Sequence, residues 1–538
     1  MNGVIAAGHP QTAQAGAEIL AQGGNAVDAA VAATFASFVA ESALVNIGGG
    51  GIAHIYNPTT GRATVYDFFS TMPGLSLNGH HPLPPLDKMD FRQVLIDFGA
   101  TVQPFYIGRA SVAVPGIVAG LAQLLAEAGT LPLAKVLEPA IRLAREGVVV
   151  TSAQEYVIHL LTPILTDTPA IAATYAPGGK LVTLGDTLIF PKFAATLTQL
   201  GQEGATLFYT GAIGRQILAD QQAHGGLLTE TDLARYQVYE TNSIAVPYRG
   251  YTIELPGPSS AGGPLIAFSL KLLAELDLPG MAHNGPAHLR ALTEVMRLTN
   301  LARARWEQQL DDSGPTKNGR AEALLSPENV ADYRRQLAAA LASNSLQPDT
   351  VSRQGPSNTT HISVADANGM LAAITTSAGE CAGFMVGQTG LKLNNMLGEI
   401  DLHRNGFHQL PPGRRLMTMM SPVLVLKNGR PVLAIGSGGS NRLRTAILQV
   451  ISNVIDFRLH LEEAVDAPRL HFEDGVAQLE GGIPPASAAA MEAAGYQINR
   501  WPARNMFFGG AHVVAREAGR WTAAGDRRRG GSTVVNNQ

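Results

Sequence analysis

The sequence predicts an α+β fold in which helices cover antiparallel sheets. Three observations predict it. Strand-like and helix-like blocks alternate without the regular strand–helix–strand period of a doubly wound sheet. Residues 26–38 are helix-forming and apolar all round, so that helix must be buried on every side. Asp366-Ala367-Asn368-Gly369 separates two runs of alternating polarity, and Asn-Gly is the strongest short signal for an antiparallel hairpin.

The elements follow in chain order. Ala13, Ala17, Ile19 and Leu20 fall at helical spacing and predict a first helix. Gly23-Gly24-Asn25 ends it, and the buried helix over 26–38 begins. Residues 51–67 read as strands joined at Asn57-Pro58 and Thr60-Gly61. Two amphipathic helices, 116–128 and 133–145, flank a turn at Gly129-Thr130-Leu131-Pro132. Further helices are predicted over 193–202, 286–309 and 331–341. The stretch 343–358 is polar, carries Pro348 and Pro356, and reads as an exposed loop. It runs directly into Thr359, where Ile362 and Val364 begin to alternate with His361, Ser363 and Ala365.

Composition excludes several classes. The chain has 538 residues, 46% of them hydrophobic, which is ample for a large core, and a net charge of −4. No basic excess points to nucleic acid or an acidic membrane. The clusters Arg414-Arg415 and Arg527-Arg528-Arg529 read as solvated surface. The single cysteine, Cys381, rules out an internal disulfide and a Cys-based zinc site, and reads as a small buried hydrophobe. No basic leader precedes an apolar stretch, and no run reaches the ~18–20 apolar residues of a membrane span. A soluble cytoplasmic protein is expected. Phosphate-loop, H-E-x-x-H and G-x-S-x-G signatures are absent.

The segment Asn358-Thr359-Thr360-His361 admits two readings. Thr359-Thr360 opens a strand, as β-branched residues do well. Alternatively, Thr359 is an N-terminal nucleophile in waiting. A threonine hydroxyl is hard to deprotonate, and an N-terminal threonine carries its own base in the α-amine, whose pKa is about 8. That amine must first be released by cutting the preceding peptide bond. A polar loop followed at once by a core strand is the layout this chemistry requires.

Spaced motifs decide between the readings, because together they resemble the γ-glutamyltransferase family over nearly the whole chain. They include residues 19–30 (ILAQGGNAVDAA), Ile47-Gly48-Gly49-Gly50-Gly51, residues 256–263 (PGPSSAGG), residues 359–366 (TTHISVAD), Leu393-Asn394-Asn395, Met420-Ser421-Pro422 and Gly436-Ser437-Gly438-Gly439-Ser440. The resemblance implies a four-layer αββα sandwich of the N-terminal-nucleophile (Ntn) hydrolase type, with no metal or organic cofactor. It implies self-cleavage between Asn358 and Thr359 into a large subunit, 1–358, and a small one, 359–538, which together form one domain. Thr359 becomes the nucleophile, Ser377 supports it, and Gly438 and Gly439 fall where the family's backbone N–H groups stabilise the oxyanion. The partners implied are a small-molecule amide donor and water or an amine acceptor.

The acyl pocket departs from the family pattern. The position of the carboxylate-binding Arg is Phe69, and the paired Ser positions are Thr418-Met419. An expected Asn is Ala378 or Gly379, followed by Glu380; an expected Gln is Met396; the Asp that holds the substrate amine is Glu399. Losing a bidentate Arg–carboxylate contact is a large change, and Arg109 or Arg415 is the expected substitute. The reading is therefore γ-glutamyl hydrolysis or transfer on glutathione-like compounds. The alternative is an acylase for another short acyl amide, such as glutaryl, which the apolar Phe69, Met396 and Met419 favour. A third reading is a non-catalytic relative, against which the intact Thr359, Ser377 and Gly438-Gly439 argue.

Overall fold

A computed structural model describes residues 3–76, 83–97, 102–308, 319–343, 358–403 and 406–536. Strand β1 (Gly3–Ala7) leads into helices α1 (Pro10–Ala21) and α2 (Ala26–Ala40). Strands β2 (Gly50–Asn57) and β3 (Arg62–Phe68) follow, then α3 (Ile117–Ala128) and α4 (Leu133–Glu146). Next come β4 (Tyr239–Asn242), β5 (Ile244–Tyr248) and β6 (Tyr251–Leu255). Helices α5 (Gly262–Leu273), α6 (Pro286–Gln308) and α7 (Pro327–Ala342) precede the hairpin of β7 (Thr360–Asp366) and β8 (Leu371–Ser377). The chain closes with β9 (Val423–Lys427), β10 (Arg430–Gly438), α8 (Arg442–Ile455), β11 (Gly510–Glu517), β12 (Arg520–Gly525) and β13 (Ser532–Asn536). The helix expected over 193–202 spans Pro191–Glu203. The loop expected over 343–358 lies outside the described residues except at its ends.

The described strands form two large antiparallel sheets. One has the order β13-β1-β7-β8-β2-β3-β4 and the other β12-β11-β10-β9-β6-β5. α1 and α2 cover the first sheet; α5 and α8 cover the second. This is the four-layer αββα arrangement. Between the sheets the apolar contacts are mostly small: Val4, Ala6, Ala365, Ala373, Ala434 and Val514 let the two backbones approach. The same interior holds His361, whose Nδ1 lies 2.8 Å from Thr375 Oγ1 and whose Nε2 lies 2.8 Å from Ser363 Oγ. Ser363 Oγ in turn reaches the carbonyls of Ala434 (3.2 Å) and His512 (3.1 Å) on the second sheet. Burial holds His361 well below the ordinary imidazole range, so the ring is neutral.

α2 is buried along its entire length, as its all-apolar sequence requires. Its start is set by a capping box. Asn25 Oδ1 accepts from the N–H groups of Val27 (2.9 Å) and Asp28 (3.0 Å), and Asp28 Oδ2 accepts from Asn25 N (2.8 Å).

The arginine clusters correct the sequence reading. Arg415, Arg528 and Arg529 are buried. Each has a reason to be inside. Arg415 lies 4.6 Å over the Tyr239 ring and 5.0 Å over Tyr236. Arg528 is held by Glu480 (2.5 Å) and Asp526 (3.1 Å). Arg529 lies behind the end of β10 and feels the charges of Glu380, Asp526 and Glu41.

Candidate active site

The hairpin at Asn368-Gly369 brings the end of β8 back beside the start of β7. Thr360 pairs with Thr376, and Ser377 is the next residue of β8, facing Gly50 of β2. Ser377 therefore lies beside the 358–359 peptide, and its Oγ donates to the Asn358 carbonyl at 2.5 Å. The N–H of Gly379 donates to the same hydroxyl at 3.1 Å. From the opposite sheet, β10 ends on Thr359. A Cβ at position 438 would lie 2.2 Å from Thr359 O, so only glycine allows this approach.

Glu380 is placed on the Asn358 side of the 358–359 peptide bond. Its Oε1 accepts from Asn358 N at 3.1 Å, and its Oε2 accepts from Asn358 Nδ2. Its own N–H donates to Asn395 Oδ1 at 2.7 Å. Burial pushes the Glu380 carboxyl up to about 8, opposed by the charges of Arg529 and Arg442. Gly379 adopts φ 62°, and a Cβ there would lie 2.1 Å from Asn395 Oδ1 and 2.3 Å from Glu399 Oε1. The position expected to carry Asn is thus taken by the packing of Asn395 and Glu399.

Thr359 and Ser377 open onto a shared cleft. Phe69, Met396, Glu399, Thr418 and Met419 line it with them. The loop carrying Thr418 is fixed by backbone bonds to the 259–261 segment: Thr418 N donates to Ser259 O (3.0 Å) and Ala261 N to Thr418 O (2.7 Å). Four predicted site residues, Asn358, Glu380, Gly438 and Gly439, do not line the cleft. Gly438 adjoins the Thr359 carbonyl, Gly439 packs against Gly509 and Arg529, and Glu380, expected in the acyl pocket, holds Asn358 instead.

Neither expected substitute for the missing Arg reaches the cleft. Arg415 donates to the carbonyls of Phe69 and Gln237 and lies 3.6 Å from Asp67. Arg109 is paired with Asp90 (3.3 Å) and Asp220 (3.2 Å) and stacks 4.0 Å over Phe384. The arginine that lines the cleft is Arg303 of α6. Its Nε donates to Glu307 Oε1 (2.8 Å) and its Nη1 to Asn441 Oδ1 (3.1 Å). Glu307 and Asp401 line the same wall. Asp401 Oδ2 accepts from Ser440 Oγ at 2.8 Å, while Oδ1 is buried with no hydrogen-bond partner. Burial and then the nearby Glu473 push Asp401 up to about 6. Sequence reasoning missed this wall. The available signal was the pairing of Glu294 with Arg297 and Arg303 with Glu307, three and four residues apart on a helix that is otherwise largely buried.

The profile of the γ-glutamyltranspeptidase family matches residues 12–535. The chain belongs to that family. It is 35% identical over 517 residues to the Acylase ACY 1 proenzyme of Pseudomonas sp. (strain SE83), covering 95% of this chain and 89% of that protein. It is 30% identical over 514 residues to the glutathione hydrolase proenzyme of Escherichia coli (strain K12), covering 92% and 86%. Its fold matches the crystal structure of cephalosporin acylase from Bacillus halodurans with a TM-score of 0.83 at 25% identity, over 99% of this chain and 95% of that one.

Family membership gives the geometry its chemistry. Thr359 lines the cleft, the Ser377 hydroxyl donates to the carbonyl that precedes it, and the Gly438 backbone packs against the Thr359 carbonyl. Such a set can form and break acyl bonds.

Proposed function

We propose that this protein is an autoprocessing Ntn amidohydrolase or acyltransferase, with Thr359 as nucleophile, acting on γ-glutamyl compounds of the glutathione type. The observation that carries it is the Asn358 carbonyl held at 2.5 Å by Ser377 Oγ next to Thr359. Maturation runs as an acyl shift. Thr359 Oγ adds to the Asn358 carbonyl carbon, the C–N bond breaks, and the hydroxyl proton ends on the departing nitrogen, which becomes the Thr359 α-amine. Water then opens the ester, leaving the Asn358 carboxylate and the free hydroxyl. The products are the subunits 1–358 and 359–538. In turnover the amine takes the Thr359 proton, the hydroxyl attacks the substrate amide, and the amine returns the proton to the leaving group. The resemblance to the family assigns the oxyanion to backbone N–H groups at Gly438-Gly439, at the end of β10 beside Thr359, a contribution of about 3–4 kcal/mol per donor in comparable sites.

The charge pattern of the cleft supports a glutamyl head group. Arg303 supplies a cation for a carboxylate, and Glu399 and Asp401 supply anions for an ammonium group. A second reading, an acylase for a glutaryl-like group, is favoured by Phe69, Met396 and Met419 in the lining and by the likeness to the Pseudomonas acylases. Intact mass and anilide hydrolysis on the same samples test both. Masses of 1–358 and 359–538 are expected, with a single inactive chain for Thr359→Ala. A higher kcat/KM for glutaryl than for γ-glutamyl anilide would establish the second reading, and an uncut, inactive wild type would reject both.

A further inference from the structure

Glu380 was expected among substrate-binding residues, yet it does not line the acyl cleft. It follows Gly379 in the turn that leaves β8, and its two carboxylate oxygens both accept from Asn358, one from the backbone N–H and one from the side-chain amide. Asn358 is thereby gripped on the side opposite to its carbonyl, which Ser377 holds. We propose that Glu380 is the positioning residue of self-cleavage: it clamps Asn358 so that the scissile carbonyl is presented to Thr359. This rests on the reading of Thr359 as the nucleophile.

The chemistry of the clamp demands an ionised carboxylate. Both groups it meets on Asn358 are donors, and a protonated carboxyl has only one oxygen left that is a good acceptor. Keeping such a charge in a buried site requires counter-charges. Arg529 and Arg442 supply them, with Glu41 beyond Arg529. Glu399 is the other carboxylate at this turn, with its Oε1 packed against Gly379. Arg529 Nε and Nη1 are buried without hydrogen-bond partners, so this guanidinium acts on Glu380 as a charge rather than through a bond that fixes it. A carboxyl pushed up to about 8 is mostly protonated at pH 6.5 and ionised by pH 8.5, so cleavage should accelerate over that range.

The same sites explain why Asn358 suits the cleavage position. A residue with a side-chain donor at 358 doubles the hold on the leaving segment, and that hold is lost only when the segment departs. Glu380 exchanges no atom or proton with the substrate peptide, so it is not a catalytic residue in this scheme.

The experiment follows conversion of purified precursor by intact-protein mass over pH 6.5–8.5. Wild type is expected to convert faster at the higher pH. Glu380→Gln turns an N–H₂ group toward an Asn358 donor and should convert about tenfold or more slowly, with a flat pH profile. Asn358→Ala removes one bond of the clamp and leaves Glu380 in place, so it isolates the clamp from any folding defect at 380. It should convert several-fold more slowly while keeping the rise with pH. If Glu380→Gln and Asn358→Ala both mature at the wild-type rate, or if Glu380→Gln is slowed but keeps the wild-type pH profile, the clamp is wrong. Wild type that never cuts before Thr359 overturns the nucleophile reading instead, so the two failures are distinct.

Discussion

At the scale of single residues, the cleft combines one cation with several carboxylates, and their roles can be separated. Arg303 is the only charge of its sign among the described lining residues. A charge-assisted hydrogen bond contributes about 1.5–3 kcal/mol, or roughly 10–150-fold. Arg303→Met should lower kcat/KM by that order for both γ-glutamyl and glutaryl anilides, since both acyl groups end in a carboxylate. Glu399→Gln should divide them: γ-glutamyl turnover falls about tenfold as its ammonium loses a partner, and glutaryl turnover is unchanged or rises. Equal losses on both substrates would mean that Glu399 does not meet an amine. The proximity of Thr359 and Ser377 was legible because a local signal, Asn368-Gly369, fixes the hairpin that joins their strands. Arg303 was not legible, because it reaches the cleft from a helix whose sequence distance from Thr359 carries no register. Arg415 was misread for a related reason: its tyrosine neighbours, Tyr236 and Tyr239, are far away in sequence and near in space.

At the scale of elements, the clearest agreement between sequence and structure is α2. Its apolar sequence predicted complete burial, and Gly23-Gly24-Asn25 marked its start. What the sequence did not reveal is how far the Asn25–Asp28 pair extends. Beyond the cap, Asp28 Oδ1 accepts from Thr130 N (2.8 Å) and Leu131 N (3.1 Å), and Oδ2 from Thr130 Oγ1 (2.6 Å). One carboxylate thus ties the start of α2 to the turn between α3 and α4. The motif that looked like a family hallmark is a joint between elements. Asp28→Ala would leave these donors without their acceptor, at a cost of about 2–4 kcal/mol. A lower melting temperature is expected, with normal cleavage of whatever folds. An unchanged melting temperature would show that water replaces the carboxylate at this joint. Elsewhere, element identity was legible because periodicity is local. The order of the sheets was not: β13 pairs with β1, joining the two ends of the chain.

At the scale of the whole molecule, buried titratable groups set opposing slopes of stability with pH. Burial lowers His9, His54, His403 and His512 to about 4 and His288 to about 3. Each is neutral in the fold where the unfolded chain would be charged, so its stability is present above about 6.5 and lost as pH falls. Buried carboxyls act in the other direction, and three of them are shifted far. Glu41 is pushed up to about 7, Asp401 to about 6 and Glu380 to about 8, chiefly by burial. Each holds a proton in the fold that the unfolded chain has already released, so its contribution is full below the ordinary carboxyl range and is lost as pH rises through the folded value. From pH 4.5 to 6.5 the five histidines outweigh the three carboxyls, and stability rises. Above 6.5 those histidines have finished, while Glu41 and Glu380 continue to titrate. At about 1.4 kcal/mol per unit, their remaining shift removes about 3 kcal/mol by pH 8. Thr359→Ala is the form in which to measure this, because its chain stays uncut and Asn358 remains against Glu380. Its melting temperature should peak near pH 6.5 and fall by a few degrees toward pH 8.5, and adding Glu41→Gln should flatten part of that fall. A melting temperature still rising at pH 8.5 would mean that these carboxyls are ionised in the fold at neutral pH. The rise in maturation rate expected between pH 6.5 and 8.5 from the Glu380 clamp would then fail with it.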